Sequence, residues 1–155
     1  MVKMQKGDAT VPVKSDKLVI IAHVCNNVDA WGRGFVVPLG NKYPMAKEAF
    51  HRAKRDYSSE EVLGKVQLTS ISPVLYIANM FAQNGLRSKA NPIPLKMDSL
   101  EKCLRTVFKL AASKKAIVQM PKIGAGLAGG NWNEIFKLIE LVSSEYDVEC
   151  YILEL

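Results

Sequence analysis

The sequence has only two histidines, His23 and His51, and three cysteines, Cys25, Cys103 and Cys150. The cysteines are odd in number, far apart and form no Cys-x-x-Cys pair. That argues against a disulfide framework and against a zinc centre, since both need paired or clustered ligands. No metal and no cofactor are expected, and the thiols read as small buried side chains in a reducing compartment. No apolar run approaches the roughly 20 residues of a membrane-spanning helix. The first eight residues, Met1 to Asp8, lack the apolar stretch of a secretory leader. The expectation is a cytoplasmic protein, taken as a monomer, with no membrane partner. Internal repeats, low-complexity segments and a long basic tail are also missing.

What is present fits one soluble domain spanning residues 1–155, with 48% hydrophobic and 23% charged residues. The formal net charge is +6. Such a balance can mark nucleic-acid binding, which would show as a steep salt dependence. The basic residues are scattered, however, with Lys47, Arg52, Lys54 and Arg55 on one stretch and Lys109, Lys114 and Lys115 on another. A solvated surface is the main reading, with polyanion attraction or steering of a small anionic ligand beside it.

Strand-like and helix-like segments alternate. Leu18 to Cys25 is almost unbroken apolar, as suits a strand covered on both faces. Ala46, Ala49, Phe50, Ala53 and Tyr57 recur at helical spacing after Pro44. Lys65 to Ile71 and Pro73 to Phe81 read as two strands joined near Ser72-Pro73. The long segment from Ala82 to Lys96, rich in Asn, Gly, Ser and Pro, reads as a functional or mobile loop. Asp98 or Ser99 is expected to cap the next helix, whose stripe is Leu100, Cys103, Leu104, Val107, Phe108 and Ala111. Ala116 to Met120 follows as a short strand, then a helix capped by Asn131, then a strand from Val148 to Leu153. This order predicts an α/β fold, with helices on both faces of a central mixed, largely parallel sheet.

In such sheets ligands bind beyond the carboxyl ends of the strands. Two glycine-rich loops stand there. The first runs from Asn26 to Gly34 after the Leu18 strand. The second, Pro121 to Asn131, contains Gly124-Ala125-Gly126-Leu127-Ala128-Gly129-Gly130 after the Ala116 strand. Glycine permits positive φ and close backbone approach, so successive amides can face phosphate oxygens. The second loop also spells Gly-x-Gly-x-x-Gly at Gly124, Gly126 and Gly129. A dinucleotide-binding reading fails on context, because that motif opens a βαβ series and here only one helix and one strand remain. No Gly-Lys-Ser/Thr follows, which excludes a Walker loop.

Gly7-Asp8-Ala9, the Asn27 to Gly34 loop and the Ile123 to Gly130 loop with Asn131-Trp132 resemble the macrodomain pattern in order and spacing over nearly the whole chain. His23-Val24-Cys25-Asn26 with Trp31-Gly32 is most similar to the branch that holds ADP-ribose 1''-phosphate phosphatases and terminal ADP-ribose glycohydrolases. The resemblance implies a three-layer α/β/α macrodomain that binds ADP-ribose or ADP-ribose 1''-phosphate, with ADP-ribosylated proteins or nucleic acids as alternative partners. It puts the acid that accepts from the adenine amino group at Asp8, with Ala9 beside it. It puts Asn27 against the distal ribose. Gly32 and Gly34 flank that ribose and its 1'' substituent. Gly124, Ala125, Gly126, Leu127 and Ala128 become the diphosphate loop. Gln83 and Ala128 stand where the glycohydrolases carry their catalytic lysine and aspartate, which disfavours a covalent lysine mechanism.

Hydrolysis of ADP-ribose 1''-phosphate to ADP-ribose and phosphate is the leading functional reading. The rivals are a non-catalytic ADP-ribose reader and hydrolysis of other ADP-ribose derivatives. For catalysis His23 is a candidate acid–base group, with a hydrogen-bonded core histidine as the competing reading. Asn27 joins it as a catalytic candidate. Asp29 can orient water or simply form a turn. Trp31 covers the distal ribose or only packs, and Arg33 contacts a 1''-phosphate or faces solvent. Phe81 and Tyr151 are candidates to stack on adenine, though each also suits the core.

Overall fold

The apolar run after Leu18 forms the strand Val19–Asn26 in a computed structural model that describes all 155 residues. It is β2 of a six-stranded sheet made with β1 (Val2–Lys6), β3 (Val66–Ser72), β4 (Leu75–Gln83), β5 (Ile117–Met120) and β6 (Cys150–Glu154). The strand order is β1-β6-β5-β2-β4-β3, and every neighbouring pair is parallel except β3 with β4. The expected mixed, largely parallel sheet is thus present.

Period two along β2 divides the core. Ile20 and Ala22 face one layer, while Val19, Ile21 and Cys25 face the other. The first layer is closed by α4 (Met97–Lys114) and α5 (Trp132–Tyr146), through Leu100, Leu104, Phe108, Ile135 and Ile139. The second is closed by α1 (Val36–Lys42) and α2 (Pro44–Asp56), through Leu39, Ala46, Phe50 and Ala53. Each of the large side chains among these, the leucines, isoleucines and phenylalanines, stabilises the fold by about 1.5–3 kcal/mol relative to exposure. The result is the three-layer α/β/α arrangement.

Three elements depart from the sequence expectation. β1 was not anticipated, because four of its five residues are exposed and an edge strand needs no apolar run. The short α1, between the first loop and Pro44, carries a proline and a glycine that mask its helical pattern. The one-turn helix α3 (Ser59–Val62) begins with a capping box in which Ser58 and Glu61 bond each other's backbone amides. Neither Asp98 nor Ser99 caps α4. Lys96 holds the N-cap position without a side-chain bond, and the Asp98 carboxylate accepts only from the Ser99 amide. Asn131 caps α5 as expected, accepting from the Glu134 amide.

Candidate functional site

Three adjacent parallel strands, β5, β2 and β4, each release a loop at the same edge of the sheet. β5 leads into the second glycine loop and β2 into the first, while β4 leads into the segment from Asn84 to Leu95. The third segment is tied back by an isolated bridge between Gln83 and Leu95 and by the Leu95 amide bonding to the Ala128 carbonyl. A cleft of about 610 Å³ lies among the three. Gly129 shows how closely they pack. Its φ is +71°, and a Cβ there would stand 2.5 Å from the Pro92 carbonyl oxygen. Across the cleft, Leu127 reaches the first loop, so a Cβ at Gly34 would meet it at 3.1 Å.

The lining chemistry is one-sided. Arg33, Arg87 and Lys122 line the cleft, and no carboxylate does. The backbone adds more donors. In the second loop the amides of Gly129 and Gly130 turn inward to the carbonyls of Gly126 and Gly124. Those of Gly124, Ala125, Gly126, Leu127 and Ala128 have no acceptor within the protein. Nor do the amides of Gly32, Arg33 and Gly34. Gly32, Arg33, Gly34, Gly126 and Leu127 are exposed, Gly124 and Ala125 half-buried and Ala128 buried, so these N–H groups are free of internal partners and open to acceptor atoms of a ligand.

The floor is β2. His23 is buried there, and its Nε2–H donates to Asn79 Oδ1 at 2.6 Å. Asn79 Nδ2 is already committed to the Ala46 carbonyl and to Gln67 Oε1, which fixes this direction. His23, Asn79 and Gln67 sit opposite one another on three strands, so the register itself builds the row. Burial pushes His23 down to about 4, against a partial rise from the Asn79 bond. It is therefore neutral at pH 7 and a weak base, a hydrogen-bonded core histidine in the cleft floor. The neighbouring Cys25 thiol is pushed up by burial, so it is no activated nucleophile.

Of the sequence candidates, His23, Gly32, Arg33, Gly34, Gly124, Gly126, Leu127 and Ala128 converge on this cleft. The others lie beside it. Asn27 and Asp29 face a second hollow of about 450 Å³ behind the first loop. There Asn27 donates to the Ser59 carbonyl and to Asn84 Oδ1 and accepts from the Gly85 amide. Asp29, at φ +61°, accepts from His51 Nδ1 at 2.7 Å. Trp31 is buried under the first loop instead of covering the cleft. Its ring packs on Phe50 and edge-on to His23, and Nε1 has no acceptor. Ala125 does not line the cleft, although its amide has no acceptor within the protein. Phe81 is core, and Tyr151 donates to Glu149.

Asp8 follows β1 at the same edge of the sheet. Its Oδ1 accepts from the amide and hydroxyl of Thr10, which hold the carboxyl below the usual carboxylate range, while Oδ2 carries no hydrogen bond. The buried Gln119 side chain ties this segment to β5, donating to the carbonyls of Ala9 and Val11 and accepting from Val13. Sequence reasoning missed Lys122 and Arg87. Lys122 stands directly at the end of β5, a position legible in principle. Arg87 is placed only by the fold of the long third segment.

Fold and rim together define a three-layer α/β domain with bare amides and cations along one sheet edge. No family model matches the chain. A solved macrodomain protein from Streptomyces coelicolor is 30% identical, with a TM-score of 0.85 over 100% of this chain and 99% of that one. A Bacteroides thetaiotaomicron protein of unknown function is 34% identical, with a TM-score of 0.92 over 100% and 98%. An ADP-ribose 1''-phosphate phosphatase from Lodderomyces elongisporus is 24% identical over 161 residues, 99% of each chain. The chain belongs to the macrodomain family.

Proposed function

We propose that the chain binds ADP-ribose and hydrolyses its 1''-phosphate to ADP-ribose and inorganic phosphate. One observation carries the reading: five consecutive amides, Gly124 to Ala128, lack an acceptor, and four of these residues, Gly124, Gly126, Leu127 and Ala128, line a cleft that holds three cations and no acid. A diphosphate supplies acceptor oxygens and negative charge together. In this reading the second loop holds the diphosphate, and the first, from Gly32 to Gly34, takes the distal ribose and its substituent. Asp8 Oδ2 accepts from the adenine amino group, with Ala9 at its side. Asn27 acts by tying the first loop to Asn84 and Gly85, and Asp29 by holding the turn against His51. Support for phosphate as leaving group comes from the relative in Lodderomyces elongisporus, which carries that activity in its name.

In turnover a water oxygen bonds to phosphorus as the bond from phosphorus to the C1'' oxygen breaks, and one proton of that water ends on the C1'' oxygen, giving ADP-ribose and inorganic phosphate. Arg33, Arg87, Lys122 and the loop amides stabilise the charge that develops. His23 Nδ1, unprotonated because Nε2 holds the proton, is an acceptor that can orient the water. The lack of any lining carboxylate favours a second reading, a non-catalytic reader of ADP-ribose on proteins or nucleic acids. Titration calorimetry with ADP-ribose, beside an assay of phosphate release from the 1''-phosphate, separates them. Binding with phosphate release is expected. Binding alone leaves the reader, and no binding rejects the site.

A further inference from the structure

The cleft carries more positive charge than a diphosphate needs. Five amides on the second loop are free to bond a ligand's oxygens, yet three cationic side chains are added from three different segments. Arg33 comes from the first loop and Lys122 from the end of β5. Arg87 comes from the third segment, and its setting is unlike the others.

The stretch carrying Arg87 is a braced arm. The Gly85 amide donates to Asn27 Oδ1, and Gln83 Nε2 donates to the Gly85 carbonyl. Asn91 Nδ2 bonds the carbonyls of Asn84 and Leu86, and Ser88 and Asn91 close a turn on each other. Gly85, at φ +75°, lies so near Asn91 that a Cβ would come within 3.1 Å of Nδ2. These bonds fix the root of the arm against the first loop and aim Leu86 and Arg87 into the cleft. Arg87 Nη1 then spans to the second loop, where its partner is the Gly126 carbonyl at 3.5 Å. Arg87 is exposed, so water solvates the rest of its guanidinium, and one long bond to a neutral carbonyl is all that the chain itself offers it. An anionic oxygen pair offers two shorter, charge-assisted bonds in the fork geometry of arginine.

We propose that Arg87 is a specificity-determining residue that selects ligands bearing a phosphate beyond the diphosphate, on the distal ribose, by exchanging the Gly126 carbonyl for that phosphate. This rests on the assignment of the cleft to ADP-ribose 1''-phosphate. Arg87 and Arg33 receive the extra phosphate from opposite walls, and Lys122 with the loop amides keeps the diphosphate. Asn91 is a positioning residue, because its two bonds keep the arm from swinging out.

The test compares binding of ADP-ribose and of ADP-ribose 1''-phosphate, the latter supplied as its non-hydrolysable phosphonate analogue, by calorimetry in the wild type and in Arg87→Gln, Arg87→Lys and Asn91→Ala. The wild type is expected to prefer the 1''-phosphate. Arg87→Gln is expected to weaken that ligand about tenfold or more, as loss of a charge-assisted bidentate contact does, and ADP-ribose by less than about threefold. Arg87→Lys recovers part of the preference, and Asn91→Ala lowers it without removing a charge. A uniform loss of stability cannot change the ratio of the two affinities. Equal losses for both ligands in Arg87→Gln, or none for either, overturn the role of Arg87 and leave the cleft assignment intact. Wild-type protein that binds neither ligand overturns the cleft assignment, and this inference with it.

Discussion

The first loop separates two hollows of similar size whose polar groups are treated in opposite ways. Behind the loop, Asn27, Asp29 and Ser58 spend their side chains on the chain itself: on Ser59, Asn84, Gly85, His51 and Glu61. In front of it, the amides from Gly32 to Gly34 and from Gly124 to Ala128 have no internal partner. A structural hollow spends its polar groups on the chain, and a binding one leaves them free. Shape alone makes them alike, whereas hydrogen-bond accounting separates them, because donors with no internal partner stay available to a ligand's acceptor atoms.

The largest expected effect tests whether the cleft depends on how its loops pack. Gly129→Val puts a β-branched residue at positive φ and drives its Cβ into the Pro92 carbonyl. A loss of about 3 kcal/mol in urea-induced unfolding, with ADP-ribose affinity falling alongside, is expected. Stability within about 0.5 kcal/mol of wild type would show that the close approach is not needed.

A second test concerns the floor of the cleft. Folding holds His23 at about 4 against an ordinary 6.5. Above pH 6.5 neither the folded nor the unfolded chain takes the proton, and this contribution to stability is whole. Between 6.5 and 4 the unfolded chain alone takes it, so stability falls as pH falls, by up to on the order of 3 kcal/mol. His23→Gln should flatten that part of the stability profile. An unchanged slope would mean that the histidine is solvated and free to titrate.

The smallest effect sets the two hollows directly against each other. Lys122 lines the cleft and Lys54 the hollow behind it. Lys122→Gln should weaken ADP-ribose binding by about 3- to 10-fold, an effect that shrinks in high salt, while Lys54→Gln should stay within about twofold. Equal effects would make the cations a diffuse field and remove the distinction.

Much of the site is legible in local sequence signals. The unbroken apolar run into Cys25, the stripe from Leu100 to Ala111 and the glycines after two strand-like segments are local signals. Hydrophobic periodicity and turn chemistry act within a few residues, so the sequence alone determined the α/β alternation and which two loops stand at strand ends. It could not say which side chains those loops would present. Trp31 was plausible as a ligand contact until α1 and α2 packed over it, and Asn27 until Ser59, Asn84 and Gly85 took its amide. Arg87 was one charge in a long polar segment until the Gln83–Leu95 bridge folded that segment back across the cleft. β1 stayed hidden because its stability comes from pairing with β6 at the other end of the chain. Each of these outcomes depends on partners dozens of residues away, brought together by strand order and register, and no local pattern encodes them.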